Sequence, residues 1–510
     1  MADRSHRRRN ALHRIYHFSE KDRMTRRFLI VALPALLLAA CTVGPDFSPP
    51  SPALPAAFRE ASTGQGEALD RWWVGYGDAT LVTLVDRALA ANPDVAVAEA
   101  RIRQARARAD EARGGRLPQI DAQGATTLRR LSENGEQLAN VPTDLISPDL
   151  DYTVYRTGFD ASWELDLFGR NSRQVEAAAA RWGSATEARN DTLVRVAGDV
   201  ARAYADVRAA ERRIAVANET LLASRQTSKL TGRLVTAGEE ARSESERTES
   251  QVAESEAAIP PLVADRKAAL YRIDVLLGAQ PGTAETIIEN SPQATLRAPD
   301  LPAVMPSDLL RRRPDIRRAE RELAAATADV GVATADLYPS FSITGSLGLE
   351  ALSLGDLVNS ASRYGSLVPG FSLPIFDGGR RRAVVRRQQA VLDENIAAYN
   401  ATIIRALSDV ETALLRYRED RNRANRLRAA RDRLTRTLEL ARLRYKAGET
   451  GLTDVLDVQR QVSAIEDRLA QADAAVIADA VSVDKALGGG WQTTTNLAAQ
   501  TGSDARRADD

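Results

Sequence analysis

One cysteine and three histidines occur among 510 residues. All three histidines (His6, His13, His17) precede residue 20, and the cysteine is Cys41, just after an apolar run. If that run is a removed signal, the remaining chain has no histidine and its cysteine stands first. These absences exclude a Ser-His-Asp triad, His-ligated zinc, c-type haem and any internal disulfide. Aromatic residues make up only 5% of the chain, and five Lys stand against 64 Arg. Length alone suggests about three domains. Scarce aromatics with abundant Ala and Arg, however, suit long helices better than several globular cores.

From Met24 the chain reads MTRRFLIVALPALLLAAC. Arg26 and Arg27 form a positive n-region, and Phe28 to Leu38 form an apolar stretch of signal-peptide length, too short to span a membrane as a stable helix. Leu38-Ala39-Ala40-Cys41 matches a bacterial lipobox, in which the cysteine takes a diacylglycerol thioether and then an N-acyl chain. Residues 1–23 read as an extended or mis-assigned start, with Met24 the expected one. Removing residues 1–40 takes nine basic and three acidic residues and leaves a net charge of −6. A mildly acidic chain without a basic stripe argues against nucleic-acid binding. Several acyl chains on one residue make a stable membrane anchor. Five prolines between 45 and 58 then predict an extended tether with no fold of its own.

Comparing the chain with itself reveals a tandem duplication. NPD at 92–94 recurs as RPD at 313–315, and LPQIDAQG at 117–124 as YPSFSITG at 338–345, both offset by 221. FGR at 168–170, RLVTAG at 233–238 and LLG at 276–278 recur as GGR, RYKAG and ALG, all offset by 210. The difference of 11 places a longer hairpin loop around 132–150 of the first half. Each half has the order helix, strand, strand, long helix, helix. Asn92-Pro93-Asp94 is a helix start: Asn caps, Pro loses no hydrogen bond at the first position, and Asp meets the positive end.

The strand segments alternate. Phe341, Ile343, Leu347 and Leu349 share one parity, as do Tyr155, Phe159, Ala161, Trp163, Leu165 and Leu167. Runs of about ten residues with this pattern are what a tilted membrane strand needs. Asp160, Glu164 and Asp166 fall on the opposite face, where they read as lumen-facing polar residues rather than as a glycosidase pair. From 380 to 446 there is neither Gly nor Pro, and a heptad seam runs through Ile396, Ile403, Val410, Tyr417, Ala424 and Leu438, with Tyr399, Ala406, Ala413, Leu427 and Leu434 as companions. Asp420 and Arg431 interrupt it. Such a seam implies coiled-coil packing along a helix of roughly 100 Å. Residues 171–236 predict its counterpart, with turns at Gly238 and Gly448 and return helices over 241–278 and 452–487; Pro260-Pro261 should break the first of these. Four strands cannot close a barrel and an open edge cannot sit in lipid, so copies must share one. Periodicity permits 8, 12 or 16 strands.

CTVGPDF (41–47), Trp72-Trp73 with Gly77-Asp78, WELDLFGR (163–170), the run from Leu309 to Gly348, PIFDGGR (374–380) and ALGGGW (486–491) together resemble the TolC/OprM-like outer-membrane efflux lipoproteins, NodT branch. The resemblance covers 41 to about 491. It implies an α+β membrane protein: a homotrimer with a 12-stranded outer-membrane β-barrel, four strands per chain, continued through the periplasm by a long α-helical barrel of coiled-coil hairpins. It implies as partners a periplasmic adaptor (membrane fusion) protein, an inner-membrane efflux pump and outer-membrane lipid, with no nucleic acid, no enzyme activity, no metal and no cofactor beyond the covalent lipid on Cys41. The expected organisation is a signal peptide over 1–40; a lipidated N-terminus and tether over 41–70; a first repeat over 71–278, with β-hairpin 117–168 and helical hairpin 171–278; a connecting loop over 279–305; a second repeat over 306–488, with β-hairpin 339–376 and helical hairpin 380–487; and a tail over 489–510.

Function is then a passive exit duct for small toxic compounds. The alternatives are a type I protein-secretion duct and a lipid-anchored coiled-coil scaffold without a pore. By resemblance, adaptor hairpins dock at the tips around Gly238 and Gly448, with Arg233 and Arg444 beside them. Threefold repetition would gather Glu239, Glu240, Glu449 and Asp454 into an acidic ring that attracts cations; helix-end charge at a solvated turn explains them as well. Arg444 and Tyr445 are candidates for links that hold the aperture shut, with Tyr445 also the last residue of the seam.

Overall fold

The computed structural model describes residues 42–60, 69–132, 150–291, 296–299 and 305–492. Cys41, the signal segment before it and most of the tail lie outside them. The described residues divide into two compact units.

The first unit holds residues up to 48, 105–181 and 323–395. Its centre is one antiparallel sheet in the order β1 (Gln119–Arg130), β2 (Asp151–Leu165), β3 (Ser340–Ala351), β4 (Arg363–Ser372). The register places Phe159 opposite Leu347, Trp163 opposite Ile343 and Phe341 opposite Phe371, so that Ile120, Leu128, Leu367 and these residues share one face. Asp121, Arg156, Asp160, Glu164, Ser346, Glu350 and Ser366 share the other. There Arg156 pairs with Glu350 at 3.5 Å and the Ser346 and Ser366 hydroxyls lie 2.7 Å apart. A period of two thus sorts the sheet into an apolar and a polar side. Among the described residues, β1 and β4 are unpaired edges.

Asp166 departs from the expectation. Strand β2 ends at Leu165, and the Asp166 carboxylate accepts from the amides of Asn171 (3.0 Å) and Ser172 (2.7 Å) and from the Ser172 hydroxyl (2.6 Å). The amides at a helix start lack intrahelical partners, and Asp166 supplies one to the helix that begins at Arg170. The Pro-rich segment also departs from it. Rather than running free, Val43 donates to the Phe168 carbonyl at 3.1 Å and Asp46 pairs with Arg173 at 2.6 Å.

The second unit holds 49–104, 182–322 and 396 onward. Among the described residues the helices are α1 (Ala79–Ala91), α2 (Pro93–Gly114), α3 (Arg170–Ala237), α4 (Arg242–Ala257), α5 (Ile259–Leu276), α6 (Thr283–Glu289), α7 (Leu309–Arg312), α8 (Pro314–Ala335), α9 (Arg380–Lys446) and α10 (Leu452–Ala486). The first return helix breaks at Ala258, before Pro260, as two consecutive prolines require. The stretch expected as a plain connecting loop contains α6, held by Asp274, whose carboxylate accepts from the amides of Gly282 (2.8 Å) and Ala284 (2.6 Å). The seam of α9 is buried at Tyr399, Ile403, Ala406, Val410, Ala413, Tyr417, Ala424 and Leu438. Phe58, within the Pro-rich segment, is buried here too, together with Trp72, Trp73, Tyr76, Leu193, Ile273 and Trp491 in one core. A side chain on Gly489 or Gly490 would collide with this tryptophan pair or the backbone before it, which explains the run of glycine ahead of Trp491.

The duplication extends to single contacts. Asn92 caps α2 through Asp94 (2.8 Å) and Val95 (3.3 Å), and its amide group donates to the Leu276 carbonyl at 2.8 Å. At the matching place Arg313 donates to the Ala486 carbonyl at 3.0 Å. Gly278 and Gly488 press equivalently against the ends of α1 and α7. One unit therefore folded twice, with a charged residue replacing an amide at the same joint.

Candidate functional site

Two turns close the long helices in the same way. In the first, the Gly238 amide donates to Val235 (3.1 Å) and Glu239 to Leu234 (2.9 Å); in the second, Gly448 donates to Tyr445 (3.0 Å) and Glu449 to Arg444 (3.0 Å). Both glycines have positive φ, +72° and +77°, which a residue with a Cβ adopts only under strain. Arg444 reaches Glu449 at 3.4 Å with both side chains mostly exposed, a weak pair in water. Tyr445 is half-buried, and its hydroxyl pKa is raised by burial and then by the charges of Glu240 and Glu239. The two tips are thus close enough for one to feel the other's carboxylates. Arg247 of α4 reaches Thr453 of α10 at 3.4 Å, a second link between them. Arg233 and Asp454 are exposed and make no ion pair among the described residues.

Cys41 itself lies outside the described residues, but the residues that follow it are held firmly. The Arg173 guanidinium is only 5% exposed and reaches Asp46 (2.6 Å), Glu176 (2.8 Å) and the Val43 carbonyl (3.3 Å). Gly44 lies directly on Gly331, and Gly169 on Thr42, where an added Cβ would fall 2.4 Å from its neighbour in either case. This clamp was not legible in the sequence beyond one signal: an arginine near the start of a helix, the end that disfavours positive charge. Among the described residues, no cluster of three or more His, Cys, Asp or Glu is placed to hold a metal. Likewise no helix there is long and apolar enough to cross a membrane.

A chain with this two-faced sheet and these paired helical tips matches a known family. The outer membrane efflux protein family matches residues 84–279 and 305–489, one segment in each half. The chain belongs to that family. Nodulation protein T of Rhizobium leguminosarum bv. trifolii is 33% identical over 447 residues, covering 86% of this chain and 92% of the relative. Outer membrane protein OprJ of Pseudomonas aeruginosa is 31% identical over 476 residues, covering 92% and 97%. Among solved structures, the outer-membrane channel OprN superposes with a TM-score of 0.81 at 34% identity, covering 89% of this chain and all of that one. A CusC structure superposes at 0.77 with 25% identity, covering 88% and 100%. The fold is that of the family, an α+β outer-membrane channel protein built as a trimer with four strands from each chain. The chain is an outer-membrane efflux component that works with a periplasmic adaptor and an inner-membrane pump. This family forms channels and is not one of enzymes.

Proposed function

We infer that this chain is one third of a passive exit duct, anchored by lipid on Cys41, which guides small toxic compounds out of the cell without reacting with them. The observation that carries this reading is the sheet. Its polar face suits an aqueous lumen, its apolar face suits lipid, and its two unpaired edges demand completion by other copies. The carboxylates on the polar face support no hydrolytic role: Arg170 lies 3.6 Å from Glu164, and Asp166 is spent on a helix start. Relatives of this architecture are named for nodulation, pyoverdine export, cation efflux and solvent efflux. That spread fits a wall that guides cargo chosen elsewhere.

The lipid on Cys41 is supported by the lipobox and by the clamp on residues 42–46 that follow it. At the tips, Gly238 and Gly448 with Arg233 and Arg444 present the adaptor surface. Glu239, Glu240, Glu449 and Asp454 form the acidic aperture, which Arg444 and Tyr445 help to hold. The domain bounds proposed are those of the two repeats, 71–278 and 306–488, with 279–305 between them.

Deleting residues 340–376 tests the duct against a scaffold without a pore. The expected outcome is loss of the trimer on gels and loss of export in cells that lack the native channel. A deleted protein that still assembles and still supports export would overturn the reading.

A further inference from the structure

The first eight residues of α9 read RRRAVVRR. Positive charge is the wrong sign for a helix start, where unpaired amides already present a positive end. Asp377 accepts from the Gly379 amide (2.9 Å) and the Arg381 amide (3.1 Å) and lies 3.4 Å from the Arg381 guanidinium, so one carboxylate and one arginine are accounted for. Arg380, Arg382, Arg386 and Arg387 are exposed, and none of them forms an ion pair among the described residues. Arg382, Arg386 and Arg387 lie on the half of the helix turned away from Val384, Val385 and Gln388, its more buried side.

The duplicated first half supplies an internal comparison. At the offset of 210, the positions matching these four arginines are Arg170, Ser172, Glu176 and Ala177. The one arginine retained there is paired, with Asp336 at 2.8 Å and Glu164 at 3.6 Å. The same structural place is therefore neutralised in one half and strongly cationic in the other. A fold requirement shared by both halves does not account for the difference; an anion from outside this single chain does.

What precedes the arginines says where that anion lies. Strand β4 carries Leu367 and Phe371 on the apolar, membrane-facing side of the sheet, and Leu373, Ile375 and Phe376 follow it in the irregular stretch before α9. Ile375 and Phe376 are 85% and 91% exposed. Apolar residues thus continue past the end of the strand, the last of them four residues before the first free arginine. From Arg380 to Arg387 the helix advances about 10 Å, comparable with the depth of a lipid headgroup layer. Apolar side chains followed at once by arginines are the pattern of a segment seated at a membrane interface, the former in the acyl region and the latter on phosphates.

We propose that Arg380, Arg382, Arg386 and Arg387, with Ile375 and Phe376 above them, form a binding site for anionic phospholipid headgroups of the periplasmic leaflet. The site rests on the outer-membrane placement of the sheet. Arginine suits it because a planar guanidinium grips phosphate oxygens bidentately.

The test uses the full-length trimer purified in detergent and exposed to equal amounts of phosphatidylglycerol and phosphatidylcholine, with the retained lipid quantified after washing. Native protein should retain phosphatidylglycerol in about tenfold excess, and the excess should shrink as salt rises from about 0.05 to about 1 M. The quadruple variant R380Q/R382Q/R386Q/R387Q should lose the preference while its trimer and single-channel conductance persist, which separates this site from the duct reading. The quadruple lysine variant should keep most of the preference, and it decides the matter if the glutamine variant fails to assemble. Equal retention of the two lipids by native protein would overturn the proposal, as would an unchanged preference in the glutamine variant or its loss in the lysine variant. Displacement of the lipid by inorganic phosphate at constant ionic strength would reassign the arginines to a soluble anion. A glutamine variant that weakens the trimer and leaves lipid retention unaltered would reassign them to the contact between copies, and either result overturns the lipid site.

Discussion

Asp484 is only 3% exposed, yet it carries a carboxyl group. Its one side-chain partner among the described residues is the Tyr76 hydroxyl, which donates at 2.9 Å. Burial pushes the carboxyl up to about 7, with the tyrosine hydrogen bond pulling the other way. Tyr76 in turn is raised well above its ordinary range by burial first and by Asp484 second, so it remains a donor throughout neutral pH. An acid whose pKa is raised by folding keeps its proton in the native state while the unfolded chain has lost it. The native state is therefore favoured most below the ordinary carboxyl range, and that advantage is lost as pH rises toward 7. Asp484→Asn keeps an acceptor for Tyr76 and removes the titration. Relative to the native protein, the variant should gain a few kcal/mol per chain between about pH 4 and pH 8. Thermal unfolding of both proteins across that range measures the difference, and curves that stay parallel would contradict this account of Asp484.

At the scale of elements, the long helices and strands were legible because each carries a local code that nothing overrides. The stretch 380–446 has no breaker and became one helix, Arg380–Lys446, with most of its seam buried, although Ile396 at the seam's start is exposed. The strands followed their alternation, and Asn92 capped the helix that its position announced. What escaped were side-chain contacts that no periodicity announces. Arg173 clamps residues 43–46 from about 130 positions away, and Asp274 turns a connecting stretch into a held helix. Asp166 obeyed strand parity on paper, but the strand had already ended and the nearest need was a helix start.

The tips are elements of this legible kind, and their charge can be tested directly. Replacing Glu239, Glu240 and Glu449 with Gln and Asp454 with Asn leaves both turn glycines and their backbone bonds in place. In planar bilayers the substituted channel should lose roughly threefold or more of its preference for cations over anions, most clearly at about 0.1 M salt. Unchanged selectivity would leave these residues as ordinary charge at solvated helix ends.

For the molecule as a whole, the estimate of about three domains from length gives way to one unit folded twice and completed only by its copies. A sheet with the edges of β1 and β4 unpaired cannot enter lipid alone, since each open backbone group would forfeit its hydrogen bond there. The helical cores carry no such debt: Trp72, Trp73, Tyr76 and their neighbours bury one another within a single chain. Helix formation and barrel formation should therefore separate during refolding. Refolded from urea into detergent micelles, the helical signal should return at a rate independent of protein concentration. Membrane-inserted strands and the gel-stable trimer should appear together and faster at higher concentration, because association is part of the same step. A monomer that accumulates with its full strand content would show that four strands suffice, and the argument from open edges would then fail.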